Sequence, residues 1–269
     1  MKVALFGIHK LLSDSLAVLE EQQILPRVVI FPPFKSQFHK ICENICERNN
    51  IPFLRPESVK DPEFIRRLQN FAINRIIVAG YHQIFPAKLL ILANMGALNC
   101  HGGLLPEERG PIPWKWAVYN NRSFSGITIH QMTDKVDQGK IYHKEKIILS
   151  EGETSESLFN KISLNISRCL PLFLKLTELS EFIEEDPKVK VGYNGQVPEE
   201  LCQFDLLQNV LELDRRVRAF SPRPGVIFQM GGGKILVKKV KAISDSLHNG
   251  KWVFDAADGR IEINEYETV

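Results

Sequence analysis

Arg75-Ile76-Ile77-Val78-Ala79-Gly80 is the stretch on which the fold turns. Four consecutive apolar residues, three of them β-branched, closed by a glycine, read as a strand buried on both faces. Upstream, Lys2–Gly7, Arg27–Phe31 and Pro52–Leu54 repeat that signature on a smaller scale. Helical patterns separate them. The first is capped by Ser13 or Asp14. The second spans Ser36–Asn49, with Phe38, Ile41, Cys42 and Ile45 on one face. The third spans Asp61–Phe71 with Pro62 in its first turn. Downstream, Met95–Cys100, Gly126–Met132 and Lys140–Leu149 add strands, and Glu153–Glu184 is a long helix that Pro171 should kink or divide.

Strands alternating with helices every 10–15 residues give an α/β class: a doubly wound, mostly parallel sheet with helices on both faces. Residues 1–183 are expected to form this domain and 184–203, rich in charge, Pro and Gly, a linker. Residues 204–269 should make a small β-rich domain. It opens with a helix over Phe204–Ala219. Short strands follow at Gly225–Met230, Lys234–Lys241, Lys251–Phe254 and Arg260–Asn264. The turns are marked by Gly231-Gly232-Gly233, His248-Asn249-Gly250 and Asp258-Gly259.

The chain has 269 residues, 34 Lys plus Arg against 32 Asp plus Glu, and 44% hydrophobic residues, which excludes a disordered chain and a general polyanion binder. No apolar run approaches the ~18 residues of a membrane span, and the N-terminal run is too short for a secretory signal. Five scattered cysteines without a Cys-x-x-Cys point to reduced thiols in the cytoplasm, with no support for a zinc site. Gly7 is followed by Ile8-His9-Lys10, so the glycine pattern of dinucleotide binding is missing.

Ligands of open parallel sheets bind beyond the carboxyl ends of the strands. Two such ends run into suggestive loops, Tyr81-His82-Gln83-Ile84-Phe85-Pro86 and the Gly- and Pro-rich stretch from His101 to Pro111. Asn99 and His101 are two residues apart on an extended chain, so their side chains share a face. An amide can donate to a developing oxyanion, and an imidazole can move a proton near neutral pH. A carboxylate to orient the ring is available in Asp137, before Gln138-Gly139, with Asp134 as its competitor. Histidines 9, 39, 82, 130, 143 and 248 show no paired arrangement and read as surface or core residues.

The run Asn99-Cys100-His101-Gly102-Gly103-Leu104-Leu105-Pro106-Glu107-Glu108-Arg109-Gly110-Pro111-Ile112-Pro113 resembles the signature of the formyltransferases that use N10-formyltetrahydrofolate. Gly126-Ile127-Thr128-Ile129-His130-Gln131-Met132 and Val136-Asp137-Gln138-Gly139 resemble that family's next blocks in order, and the likeness covers about residues 1–180. The resemblance implies a Rossmann-like core that passes a formyl group from N10-formyltetrahydrofolate to a primary amine without a metal. It implies Asn99 on the formyl oxygen, His101 in proton transfer, and Asp137 orienting His101. Gln83, Ile84, Phe85, Leu104, Leu105, Pro106, Thr133, Asp134 and Val136 would enclose the cofactor. Gly103 stands where the family usually has Ser, which removes one hydroxyl near the cofactor, and Glu108 also departs from the pattern.

The family divides by acceptor. The short link from Phe31 to Ser36 and the trimmed domain at 204–269 favour a nucleotide-linked aminosugar, with Trp114-Lys115-Trp116 as pocket candidates. The alternative is charged initiator tRNA, as in methionyl-tRNA formyltransferases. Arg218-Ala219-Phe220-Ser221-Pro222-Arg223-Pro224-Gly225 resembles the opening of their C-terminal domain, and Lys234, Lys238, Lys239 and Lys241 are candidates to face phosphates. A stretch of that kind also occurs in aminosugar enzymes with a short second domain. A homodimer through the C-terminal region is consistent with the resemblance. A catalytically silent folate-binding module is the alternative from another class.

Overall fold

A computed structural model describes residues 1–176, 181–184, 189, 191–243 and 252–269. The chain forms two compact units. The first comprises Met1–Pro111, Gly126–Ile147 and Asn160–Tyr193; the second comprises Ile112–Ser125, Ile148–Phe159 and Asn194–Val269.

The large sheet is built from β1 (Val3–Gly7), β2 (Val28–Ile30), β3 (Phe53–Leu54), β4 (Arg75–Ala79), β5 (Ala97–His101), β6 (Phe124–Gln131) and β7 (Ile141–Ile148). Their order is β3-β2-β1-β4-β5-β6-β7, so the direction of winding reverses between β1 and β4. β1 through β5 pair in parallel and β6 runs antiparallel to β5. Every residue of β1 and β4 is buried, as expected for strands covered on both faces. β7, at the sheet edge, is mostly half-exposed.

The connecting helices are α1 (His9–Glu21), α2 (Gln37–Arg48), α3 (Pro62–Gln69) and the short α4 (Ala87–Leu90). α1 begins earlier than Ser13 or Asp14 would place it, at an Ile8 cap without a side-chain bond. Ser13 instead donates to the Lys10 carbonyl, and Asp14 pairs with Lys10 and accepts from Ser163. α2 and α3 start as their sequences dictate. Ser36 accepts from the His39 amide, and Asp61 accepts from the Glu63 amide with Pro62 in the first turn. Phe6 anchors the core on one side of the sheet, its ring in edge contact with Phe64, Tyr81 and Phe85.

α6 (Ser155–Lys175) runs unbroken through Pro171. The proline lies near the C-terminal end, where one lost backbone bond is outweighed by the burial of Leu170, Phe173 and Leu174. No helix among the described residues is long and apolar enough to cross a membrane.

The second unit includes α5 (Pro113–Tyr119), α7 (Val210–Phe220) and an antiparallel sheet of β8 (Ile227–Met230), β9 (Gly233–Ile243), β10 (Val253–Ala256) and β11 (Gly259–Thr268), in the order β10-β11-β9-β8. α7 starts later than Phe204, because the Asn209 side chain caps it at the Glu212 amide. Phe204 instead donates its amide to Ile227, extending the sheet edge. The Gly231-Gly232 and Ala257-Asp258 pairs make the two tight hairpins. The turn expected at 248–250 lies outside the described residues.

Candidate active site

Asn99 and His101 end β5, and its antiparallel register sets His130 of β6 directly opposite Asn99. His130 is a core residue at 2% exposure, and strand register gives it the pairing that its spacing along the chain does not show. Its Nδ1 lies 2.9 Å from the Gln131 carbonyl, so the proton sits on Nδ1. Nε2 therefore accepts, at 3.1 Å, from the Asn99 amide nitrogen. This bond settles which way the Asn99 amide points and leaves its second N–H available. Burial, with a second imidazole beside it in His101, holds His130 down at about 4 despite the neighbouring Asp137, so the His130 ring is neutral at physiological pH.

His101 is 6% exposed. Its Nε2 donates to the Glu108 carbonyl at 2.6 Å, which turns Nδ1 toward Asp137 Oδ1 at 3.8 Å. The same carboxylate oxygen lies 3.6 Å from His130 Nε2. Asp137 thus stands between two imidazoles, while its other oxygen accepts from the Gly110 amide at 3.0 Å. Glu108, a departure from the family pattern, closes the loop from both ends. Its carbonyl takes His101, and its carboxylate takes the Leu104 amide at 2.7 Å.

Two glycines make this geometry possible. A Cβ on Gly126 would lie 2.1 Å from the Glu145 carbonyl oxygen and 2.6 Å from Leu104, so only glycine lets that loop lie against the sheet. A Cβ on Gly139 would lie 1.9 Å from the Gln131 carbonyl oxygen. That close return of the chain, with Asp137 in the left-handed region at φ 54, brings Asp137 to the histidines. Asp134 remains exposed, and among the described residues no hydrogen bond or ion pair joins it to His101 or His130.

The residues expected around the cofactor differ in how far they are free to meet a ligand. Gln83 is tied down, accepting from the Val59 amide and donating to the Glu57 carbonyl. Phe85 is 6% exposed and belongs to the core with Phe6 and Tyr81, and Leu105 and Pro106 are buried. Leu104 is half-buried, and Thr133 makes a local turn with Lys135. Ile84 and Val136 are exposed, at 68% and 46%. A flat heterocycle with a carbonyl to be polarised fits this set: uncovered apolar side chains, a free amide N–H, and a carboxylate held between two rings.

A second group of rings lies at the carboxyl ends of β1, β2 and β4. His9 stacks on His39 at 5.8 Å and approaches Phe34 at 5.4 Å, and Phe34 meets His82 at 6.2 Å. His39 is fixed by the His9 amide and the Phe34 carbonyl. Trp116, a candidate for the acceptor pocket, instead donates to Gly195 and packs on Tyr119 and Phe220 within the second unit.

A formyl transferase family model matches residues 32–174, and the model of the formyl transferase C-terminal domain matches 196–268. The chain is 29% identical over 234 residues to a methionyl-tRNA formyltransferase of Lactobacillus johnsonii, covering 82% of this chain and 74% of that protein. A sugar N-formyltransferase structure from Shewanella sp FDAARGOS_354 shares the fold at TM-score 0.68 and 19% identity, covering 93% of this chain and 99% of that one. HypX from Aquifex aeolicus in complex with tetrahydrofolic acid matches at TM-score 0.71 and 15% identity, covering the whole of this chain, which spans 44% of HypX. With both of its regions matched, the chain belongs to the formyl transferase family and is an N-formyltransferase that takes its one-carbon unit from N10-formyltetrahydrofolate.

Proposed function

We propose that this chain formylates the amino group of charged methionyl-tRNA, using Asn99, His101 and Asp137 as its catalytic residues. The observation that carries the chemistry is the convergence of the Asn99 amide, two imidazoles and the Asp137 carboxylate within hydrogen-bonding or ion-pair range. N10-formyltetrahydrofolate supplies an electrophilic formyl carbon and a nitrogen leaving group. The free N–H of Asn99 is directed at the formyl oxygen and stabilises the charge that develops there. Asp137 and His101 take the proton that the attacking amine must lose and return one to the departing nitrogen. Neutral His130 acts through Asn99, holding its amide in the donating orientation. Ile84, Leu104 and Val136 cover the pterin and exclude water.

The tRNA acceptor is supported by the methionyl-tRNA formyltransferases among the relatives and by the Arg218–Gly225 stretch. One structural observation favours the nucleotide-linked aminosugar as a second reading. β9 carries the basic run, and its partner strand answers it with acids. Lys241 lies opposite Glu262, Lys239 opposite Glu265, and Lys238 is 2.7 Å from Glu267. Bases paired in this way offer less to a phosphate backbone. Both acceptors carry a nucleobase, for which the His9, Phe34 and His82 rings provide a stacking surface.

The test is tetrahydrofolate release, followed by absorbance, with charged initiator tRNA beside dTDP-, UDP- and GDP-linked aminosugars. Turnover with the tRNA, lost in His101→Ala, is the expected result. Turnover with a nucleotide sugar alone overturns the tRNA reading and leaves the site assignment standing. Folate binding without turnover of any amine in the panel overturns the acceptor reading as a whole.

A further inference from the structure

His143, Glu145 and Cys169 take no part in the site described above. β7 sets His143 and Glu145 two residues apart on one face, and α6 brings Cys169 over that face. His143 Nε2 lies 3.5 Å from Cys169 Sγ, Sγ lies 3.7 Å from Glu145 Oε2, and the imidazole and carboxylate atoms are 3.8 Å apart. An imidazole, a thiol and a carboxylate thus form an almost equilateral triangle. The Phe173 ring backs the His143 ring at 6.2 Å. One side stays open, with His143 33% and Glu145 41% exposed.

The edges of the triangle identify a guest. Tetrahedral zinc, with its usual bonds to sulfur, nitrogen and oxygen, separates its ligand atoms by about 3.3–3.6 Å. The observed edges need only a small contraction to meet those values. Hydrogen bonding leaves the triangle incompletely satisfied, since the single thiol proton serves only one of its two acceptors at a time. Thiolate and imidazole ligands also discriminate against magnesium and calcium, which take oxygen. Cysteine spacing along the chain shows no zinc motif, because the three ligands meet only when an edge strand packs under a helix.

We propose that His143, Glu145 and Cys169 form a binding site for a divalent transition-metal ion, Zn²⁺ by ligand preference, with water as its fourth ligand. On binding, a metal–sulfur bond forms, the S–H bond breaks, and the proton passes to solvent. The ion cross-links the edge strand to α6. With a single water-filled position and partial exposure, it exchanges with solvent.

The full chain, stripped with EDTA, is titrated with CoCl₂ and then with ZnCl₂. One Co²⁺ per chain is expected, with the visible bands of tetrahedral cobalt, a thiolate-to-cobalt charge-transfer band, and displacement by Zn²⁺. Cys169→Ser abolishes the charge-transfer band, and His143→Gln weakens binding at least about tenfold. Cys202→Ser, at the other partly exposed cysteine, leaves the spectrum unchanged. Zn²⁺ raises the melting temperature of the parent and not of Cys169→Ser. The charge-transfer band separates this site from the His101–His130–Asp137 cluster, whose contacts join imidazoles to a carboxylate. A charge-transfer band that survives Cys169→Ser, a cobalt spectrum without such a band, or binding indifferent to His143→Gln overturns the proposal. Should Cys169→Ser not fold, as judged by circular dichroism, His143→Gln and Glu145→Gln decide the question.

Discussion

Gly139→Ala tests the loop geometry without touching a catalytic residue. The new Cβ would sit 1.9 Å from the Gln131 carbonyl oxygen and 2.7 Å from its carbonyl carbon, both backbone atoms that no rotamer change can remove. Real Cβ contacts essentially never fall under 3.0 Å, so the loop must retreat by roughly 1 Å at this point. Asp137 is two residues away on the same loop, and its 3.0 Å bond to the Gly110 amide and its 3.6 and 3.8 Å approaches to the histidines leave little slack. A misplacement of this size costs about 100-fold in rate. The expected result is a kcat/KM for tetrahydrofolate release about 100-fold below the parent. With Asp137 in its proposed role on the transferring proton, the loss falls mainly in kcat. Since the loop is largely exposed, the melting temperature changes little. Gly195→Ala, where an added Cβ meets nothing within 4 Å, serves as the control and retains parent activity. A Gly139→Ala enzyme with parent kcat/KM would refute the placement of Asp137 by this loop.

Three further outcomes are expected. His130 is held below its unfolded value, at about 4, so the unfolded chain binds the extra proton first as pH falls. Native stability through this residue is complete above about pH 6.5 and is lost between there and pH 4; His130→Asn should flatten that part of a denaturation-versus-pH series, and an unchanged slope contradicts the assignment. Arg75 is fully buried and none of its guanidinium nitrogens finds a hydrogen-bond partner among the described residues, so burial pushes its pKa down. Arg75→Met should be neutral or stabilising by about 1–4 kcal/mol in urea unfolding, and a clear destabilisation would show that the charge has a partner the fold needs. Phe34→Ala should raise the KM of the amine acceptor about tenfold or more while leaving that of formyltetrahydrofolate unchanged, as stacking loss predicts; equal effects on both would remove Phe34 from the acceptor side.

The alternation of apolar runs with amphipathic helices was enough to expect the parallel sheet, since a strand such as Ile76–Ala79 is buried on both faces wherever it is placed. The hairpin turns and the caps at Ser36 and Asp61 are local chemistry and were legible in the same way. The shared face of Asn99 and His101 follows from the two-residue period of an extended chain. Pro171, by contrast, carries a strong local preference against helix, and the burial of the residues around it overrode that preference.

What the sequence determined by itself was therefore whatever depends on neighbours along the backbone: element types, the α/β class, and a strand end bearing an amide and an imidazole. Local spacing left Asp137 and Asp134 as alternatives, and the tertiary structure brings Asp137 to the histidines through the return of Gly139 against Gln131 and the Gly110 amide. It also recruited His130 through the pairing of β5 with β6, turned Glu108 from a departure into the clasp of its loop, and gathered His143, Glu145 and Cys169. The Glu108 clasp and the Gly139 return are local, but the Asn99–His130, Gly110–Asp137 and Cys169 contacts join residues far apart in the chain. Their partners are chosen by strand register and close packing summed over the whole core, a quantity that no local window of sequence contains.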